Sequence, residues 1–563
     1  LTVEVTQTAA PDPPTDPPIE PSADVAWGAF TDHGPWNLDP DQLRWLPGLD
    51  RRRAEVAASV PAMTERRRLP PGRRLGTTVA HLGGGLARWG VGARREGGTR
   101  SREVLAHRLR VAAEHLGPSY IKLGQIISSG RGLFPDELVD EFAQLRDRVQ
   151  PEPFASIRQV IEEDLGAPIE QIFATFERRP IAAASIAQAH AATLRTGESV
   201  VVKVQRPTVA ARVQADLRVM SWIAPFLTGR IPVAALANPP ALVELFAETI
   251  AEELDFRLEA GSMIDVGRSL AELGQRGYVV PRPHPELVTR RVLVMERLQG
   301  FGFDDVVGMR DAGIDTEAVV RTGMIGFLEG AMITGIFHGD LHGGNLLVLP
   351  DGRTGLLDFG ITGRLREIER QAFLRLLVCG TMNDVPGQLR ALQDLGALPP
   401  DADLDEIIVV LGLDQAPVDP TTLTPEQLTG EIQKVVKALL GTGARLPKPL
   451  MLFVKNLVFL DGAIATLAPD LDLFAEIATI ALYFGQRHGD RIAAEAGLGV
   501  GEWDLDLSAL QASVGVDPAL GSAGLTHREL QERREVLRAQ LGAAPRRLRL
   551  GRWGGRRRGT RSD

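Results

Sequence analysis

Cysteine is almost missing from this chain: Cys379, in the apolar run Leu376-Leu377-Val378-Cys379, is the only one. A single thiol excludes an internal disulfide and any cysteine-rich metal centre, and it fits a reducing compartment. Long apolar runs are missing too. No uncharged stretch reaches the roughly 18 residues that a membrane-spanning helix needs, and no basic segment followed by an apolar one opens the sequence. The expectation is therefore a cytoplasmic protein, soluble or peripheral at the inner face of a membrane, with no transmembrane helix. Nor is there an overall excess of positive charge. Acidic residues outnumber basic ones by 72 to 63, for a formal charge of -9, which makes no case for specific nucleic-acid binding. The basic residues are clustered instead, at Arg51 to Arg53, at Arg66 to Arg68, and as eight arginines between Arg546 and Arg561.

What is present is a long chain with a substantial apolar fraction, 563 residues of which 44% are hydrophobic, enough for several domains. Between Ala9 and Ala23 prolines alternate with acids and threonines, a composition that buries too little apolar surface to offset its ordering entropy. From Gly117 a Gly-Pro pair opens Ser119-Tyr-Ile-Lys-Leu-Gly-Gln125, and Leu138, Phe142, Leu145 and Val149 recur at helical spacing after Pro135. Two short helices are expected there. A third is signalled by Ile157, Val160, Ile161 and Leu165, with Gly166 as its C-terminal cap. The β-branched run Val200 to Val204, preceded by the turn-like Arg195-Thr-Gly-Glu198, predicts a hairpin that carries Lys203. Leu242 to Leu270 reads as one long helix with an acidic stripe. Arg291 to Leu298 reads as a buried strand leading to a second lobe, which makes Glu296 and Leu298 candidate nucleotide contacts at the connection.

The sharpest chemical signal is His338-Gly-Asp-Leu-His-Gly-Gly-Asn345, followed after a hairpin at Pro350-Asp-Gly-Arg353 by Asp358-Phe-Gly360. An aspartate in a tight loop, an asparagine five residues later and a second aspartate beyond a hairpin is the arrangement kinases use for phosphoryl transfer. The residue types follow from the chemistry. Magnesium is a hard cation that prefers carboxylate and amide oxygens, so Asp358 and Asn345 are the candidate metal ligands, leaving Asp340 to orient or deprotonate an acceptor. His338 and His342 belong to the same loop, where orienting hydrogen bonds suit them better than metal ligation. Lys203 is placed to meet the α- and β-phosphates of ATP, and a carboxylate must fix it; Glu252, Glu253, Asp255 and Glu259 are the candidates. Where a kinase carries its Gly-rich phosphate loop, this chain has Ala182, Ala183, Ala184 and Ser185. Alanine disfavours positive φ, so these residues cannot drape over phosphates as glycines do, although Ser185 and backbone amides remain available.

Together these residues resemble the UbiB/AarF family of atypical protein-kinase-like proteins over roughly residues 117–363. The resemblance is carried by the KxGQ element Lys122-Leu-Gly-Gln125, the Ala-rich loop, the ExD element Glu253-Leu-Asp255 and the two catalytic motifs. It implies that Lys203 pairs with Glu259, that Lys122 pairs with Glu253 across the mouth of the active site, and that Asp255 adds to the same acidic cluster. It also implies that the KxGQ extension lies where a peptide substrate would sit. The activity implied is ATP binding and slow hydrolysis with Mg2+, coupled to membrane lipids in support of isoprenoid-quinone biosynthesis, rather than protein phosphorylation. Two positions depart from the family pattern: Gly343 replaces proline and Leu258 replaces arginine.

The expected architecture is an α+β, two-lobed protein-kinase-like fold. A disordered leader (residues 1–75) precedes an N-terminal helical extension (76–150), a small lobe (151–300), a predominantly helical lobe (301–500) and an Arg-rich tail (501–563). The arginines around Trp553 suit an anionic membrane surface, at roughly 1 kcal/mol each. Two other functions compete: a small-molecule kinase acting on a metabolite hydroxyl, and a nucleotide-switched scaffold without turnover. The KxGQ and ExD elements argue against the first, and the intact Asp340 against the second.

Overall fold

The run around Lys203 forms the centre of the small lobe. In the computed structural model, which describes residues 43–65, 72–91, 98–128, 136–145, 150–227, 239–382, 384–411, 447–496, 526–532 and 535, that lobe is built on a six-stranded sheet. Its strands are β1 (Phe173–Phe176), β2 (Ala182–Ala183), β3 (Ala187–Leu194), β4 (Ser199–Gln205), β6 (Pro283–Val288) and β7 (Val292–Glu296), in the order β1-β3-β4-β7-β6 with β2 on β3. The hairpin expected at Arg195 to Glu198 joins β3 to β4, in register Ala189↔Lys203, and Lys203 is paired on its other side with Leu293. Alternation decides the faces: Val200, Val202 and Val204 point into a core with Ile157, Ile161 and Val294, and Lys203 points the other way.

The described part of the N-terminal region is helical: α1 (Leu49–Thr64), α2 (Gly72–Val91), α3 (Gly98–Leu116), α4 (Pro118–Ser128) and α5 (Asp136–Phe142). The leader expected up to residue 75 is thus corrected from residue 43 onward. Leu43, Trp45 and Leu49 are buried in the main core, and the Trp45 indole donates to the His284 carbonyl at 3.0 Å, which offsets the ordering entropy that the arginine-rich composition suggested would go unmet. The Pro-rich run, Pro135, Val149 and the arginines from Arg546 to Arg561 lie outside the described residues, while 526–532 of the tail are described, with Thr526 bridged to Asp472. Helix α5 ends at Phe142, short of the spacing read through Val149. The Gly of the KxGQ element has a packing role: a Cβ on Gly124 would meet Leu145 Cδ1 at 2.3 Å.

Helices α6 (Phe154–Leu165), α7 (Ile169–Ile172) and α8 (Val209–Leu227) surround the sheet, and Gly166 caps α6 at φ 71° as expected. The single helix read over Leu242 to Leu270 is two, α9 (Pro239–Glu253) and α10 (Phe256–Glu272). Asp255 breaks it. Its backbone is extended at φ -135°, and its carboxylate accepts the Arg257 amide at 3.2 Å, an N-cap that starts α10 afresh.

In the large lobe, β5 (Tyr278–Val279), β8 (Phe301–Gly302), β10 (Leu346–Val348) and β11 (Thr354–Leu356) form one sheet, and β9 (Ile336–His338) pairs with β12 (Thr362–Arg364). The hairpin around Pro350 to Arg353 is present as β10–β11, register Leu346↔Leu356. The helices are α11 (Val306–Asp311), α12 (Thr316–Glu329), α13 (Glu367–Thr381), α14 (Val385–Asp394), α15 (Leu404–Leu411), α16 (Lys448–Leu467) and α17 (Leu473–Ala496). One helix among the described residues, α16, is long and apolar enough to cross a membrane by length and composition, although Lys455 and Asp461 interrupt the run, as the sequence reading has it. Here it packs inside the lobe, burying Leu450, Leu452, Phe453, Leu460, Ile464 and Leu467 in the main core.

Candidate active site

The catalytic loop leaves β9 at His338 and is held from both sides. His338 Nε2 faces the carbonyls of Leu357 and Asp358 at 3.1 and 2.9 Å, while its Nδ1 accepts the Asp340 amide at 3.2 Å. That pattern requires the neutral tautomer with the proton on Nε2, and burial pushes the His338 pKa down in agreement. His342 accepts the Gly344 amide at 3.1 Å and burial lowers it to about 4, so it too is neutral. Both histidines orient the loop. Gly339 is there for space: a Cβ would stand 3.0 Å from the Ile361 carbonyl, to which the Gly339 amide already donates at 2.9 Å. Gly339→Ala should separate the loop from Ile361 and lower stability by about 1–3 kcal/mol, read by chemical denaturation.

From below, α16 contributes two residues that the sequence reading missed. Asn456 donates to the His338 carbonyl at 2.5 Å and accepts the Leu341 amide at 3.0 Å, and Lys455 forms an ion pair with Asp340. The signal was there, as a Lys-Asn pair in the middle of the apolar run Leu452-Phe-Val-Lys-Asn-Leu-Val-Phe459. Polar groups buried in an otherwise apolar helix need partners, but the pattern does not say which. Burial alone would raise the Asp340 pKa; Lys455 foremost, with His342 and Lys122, outweighs it and holds the carboxyl well below the usual carboxylate range.

Across the cleft, Lys203 is 5% exposed and its Nζ lies 2.6 Å from Glu259 Oε1 and 3.2 Å from Asp358 Oδ1. Three elements, β4, α10 and the segment after β11, thereby meet at one ammonium. Burial pushes the Glu259 carboxyl up to about 6, with Lys203 pulling against it. For Asp358 burial again acts upward, and Lys203 foremost, with Lys122 and the Gly360 amide, reverses it. Asp358 is also the one non-glycine residue at positive φ, 56°, among the described residues, a strained conformation at the point where its carboxylate turns inward.

Asn345 donates to the Asp340 carbonyl at 3.0 Å, which leaves its Oδ1 buried and accepting no hydrogen bond among the described residues. A buried amide oxygen without a donor is costly unless something occupies it. With the ionised Asp358 it offers two hard oxygen donors, the set that suits magnesium. No group of three or more His, Cys, Asp or Glu side chains is arranged for a metal among the described residues. Two protein ligands fit a magnesium ion that keeps waters and takes substrate phosphates.

The other candidate residues fall as follows. Lys122 on α4 reaches Glu253 Oε1 at 2.8 Å, both largely buried, and Gln125 lies one turn further along the same helix. Burial foremost raises the Glu253 pKa. Lys122→Ala would strand that carboxylate, and we expect a loss of about 3 kcal/mol in denaturation, partly recovered by adding Glu253→Gln. Asp255 does not join this cluster: besides capping α10 it binds the Arg257 guanidinium at 2.8 and 2.6 Å, because its own cation is two residues away. Ala182 and Ala183 form β2, and Ala184 and Ser185 make a buried turn closed by Ala184 N to Ala187 O at 2.8 Å. Arg206 fastens it, donating to the Ala184 carbonyl at 2.8 Å and to Glu152 at 2.9 Å. Glu296 ends β7, where its carboxylate takes Arg282 Nε at 3.1 Å and its amide donates to the Arg282 carbonyl at 2.9 Å. Leu298 lies against Gly355 of β11, between the two sheets.

Comparison with known proteins agrees with this geometry. Residues 144–388 match the model of the ABC1 atypical kinase-like domain. An uncharacterized protein of Mycobacterium tuberculosis is 36% identical over 375 residues, covering 64% of this chain and 74% of that one. An uncharacterized chloroplastic aarF domain-containing protein kinase of Arabidopsis thaliana is 33% identical, covering 65% and 73%. A probable protein kinase UbiB of Vibrio cholerae is 31% identical, covering 66% and 69%. With its kinase-like lobes, catalytic loop and Asp-Phe-Gly segment in place, the chain belongs to the ABC1/UbiB family of atypical kinase-like proteins.

Proposed function

We propose that this protein binds ATP with magnesium and hydrolyses it slowly, in a cycle coupled to a membrane lipid surface that serves isoprenoid-quinone or related lipid metabolism. One observation carries the hydrolytic part of the reading. Lys122 of the N-terminal extension is locked to Glu253, whose side chain lies 3.3 Å from where a Cβ on Gly360 would be, so the extension closes the catalytic centre on the side a peptide would approach. An extension anchored there favours water over a peptide hydroxyl as the acceptor.

Each residue then has a task. Lys203, fixed by Glu259, presents its ammonium to the α- and β-phosphates. Asp358 and Asn345 would hold the magnesium, which when bound neutralises charge on the transferred phosphoryl group. Asp340 orients the attacking water. With Lys455 foremost holding its pKa below the usual carboxylate range, Asp340 stays ionised and, fixed by that lysine, positions the water as a hydrogen-bond acceptor. Glu259 sets an acid limit: as the pH falls through about 6 it protonates and releases Lys203, so turnover should decline there, and the limb should disappear from the profile of a Glu259→Gln variant.

The lipid part rests on α16. The helix that grips Asp340 also exposes Val454, Leu457 and Val458 on its far face, an apolar row continuous with the catalytic support. Val454→Asp with Val458→Asp should leave basal turnover unchanged and abolish stimulation by vesicles.

The products tell hydrolysis from transfer. With γ-labelled ATP and a mixture of serine, threonine and tyrosine peptides, the label should appear as inorganic phosphate. Label accumulating on peptide or on the protein itself would reject the hydrolytic reading.

A further inference from the structure

Helix α1 lies ahead of residues 144–388, which match the family domain, and it carries none of the catalytic groups. Its packing is nevertheless specific. Leu49 is buried so close to α10 that a Cβ on Gly261 would stand 2.5 Å from Leu49 Cδ1 and 3.1 Å from Arg53 Nη2. Toward the other end, Val60 is buried among Phe246, Ala247 and Ile250 of α9. The helix therefore spans the break at Asp255 and braces both helices that bear the acids of the site, α9 with Glu253 and α10 with Glu259. Charge continues the connection. Arg53 Nη2 and Arg364 Nη1 meet at one oxygen, Asp265 Oδ2, at 3.2 and 2.6 Å, and Arg53 also pairs with Asp50 at 3.1 Å. Arg364 donates in addition to Ser262 Oγ at 3.1 Å. Three elements, α1, α10 and β12, are thus joined at the Asp265 carboxylate. Asp265 lies about 9 Å along α10 from Glu259. Arg364 is on the strand that follows Asp358 and whose Thr362 pairs with His338 of β9.

We infer that Arg53 and Asp265 are positioning residues for the Lys203–Glu259 pair. Helix α1 braces α10 from behind, and Asp265 fixes α10 to the segment after Asp358, so that Glu259 and Asp358 reach Lys203 together. In kinases the lysine–glutamate pair and the metal-binding aspartate must both be in place, and placement of the helix that carries the glutamate controls activity. Here a helix of the same chain holds that placement, through one carboxylate shared by two arginines. The arrangement is local: Lys203 is 2.6 Å from Glu259 and 3.2 Å from Asp358, and the junction fastens the elements that supply both carboxylates. The catalytic part of this role rests on Lys203 as the phosphate contact, but the geometry that the junction sets is measurable without nucleotide.

Pulse acylation of the full chain with acetic anhydride, without nucleotide, followed by peptide mass spectrometry reads each lysine separately. In the parent, Lys203 is 5% exposed and held by two carboxylates, so it should react slowly. Arg53→Gln and Asp265→Asn should each speed its acylation by roughly tenfold, the scale of one coupled contact. Lys455, paired with Asp340 and outside the junction, should react as in the parent. Leu49→Ala, which loosens α1 without removing a charge, should act in the same direction as Arg53→Gln, and Arg53→Lys should restore most of the protection. Under turnover conditions the same variants should lower kcat/KM for MgATP by roughly tenfold. Unchanged acylation of Lys203 in Arg53→Gln and Asp265→Asn overturns the inference. Equal acceleration at Lys203 and Lys455 also overturns it, since that is general loosening and not loss of a positioning contact. A parent without turnover would count against the ATPase reading, while acylation of Lys203 still decides the role of the junction.

Discussion

Lys455→Met should cut ATP turnover by roughly 10²–10³-fold while leaving MgATP affinity nearly unchanged. The split follows from where the charge sits. Lys455 pairs with Asp340, whereas Lys203 and Asp358, proposed to meet the nucleotide and its metal, pair with each other, so kcat should fall and KM should not. Without the lysine the Asp340 pKa should rise, although Lys122 still lowers it, and the acid limb that Glu259 sets near pH 6 should stay where it is. Lys455→Arg keeps the charge and should keep most of the rate. Stability carries the same signature. The Asp340 pKa in the folded chain is below its unfolded value, so the pairing contributes stability that is present above about pH 4 and is lost as the pH falls toward the folded pKa. The variant should therefore be less stable than the parent at neutral pH, and the gap should close in acid. Stopped-flow turnover, nucleotide titration and denaturation at several pH values check all three.

The second large effect is at Asp358. Asp358→Asn should weaken magnesium-dependent nucleotide binding by roughly a hundredfold or more, and turnover with it. Asparagine is the informative replacement because it tolerates the left-handed backbone that Asp358 adopts at φ 56°, so the segment keeps its shape while losing the charge. Lys203 retains Glu259 at 2.6 Å, which limits the structural cost. Fluorescent-nucleotide titration with and without magnesium reads the effect directly: the variant should bind equally in both conditions, and the parent should not.

Much of this site was legible in the sequence because its parts are local. His338 to Asn345 form one loop, Asp358 follows one hairpin, and Lys203 sits on a strand whose alternation fixes its direction. Lys122 with Glu253 and Lys203 with Glu259 came from resemblance, and the structure brings each pair within 2.8 Å. What could not be read was set by tertiary contact. Helical periodicity runs straight through Asp255, and only its cap geometry divides α9 from α10. Lys455 and Asn456 lie 115 residues beyond the groups they hold, in a helix whose composition speaks of core or membrane and not of a catalytic loop. The arginines of α1 suggested a solvated leader, yet Leu43, Trp45 and Leu49 dock the segment. Nor was the ion pair of Glu296 with Arg282, just ahead of β6, legible in the sequence. A partner across a sheet has no local signature.

The measurement that bears most directly on the whole account is magnesium-dependent ATP turnover by the purified chain, with and without vesicles rich in anionic lipid, beside Asp358→Asn. The account predicts slow turnover that anionic vesicles raise severalfold and that the variant lacks. Turnover indifferent to vesicles, or MgATP binding without turnover in every condition, would contradict it.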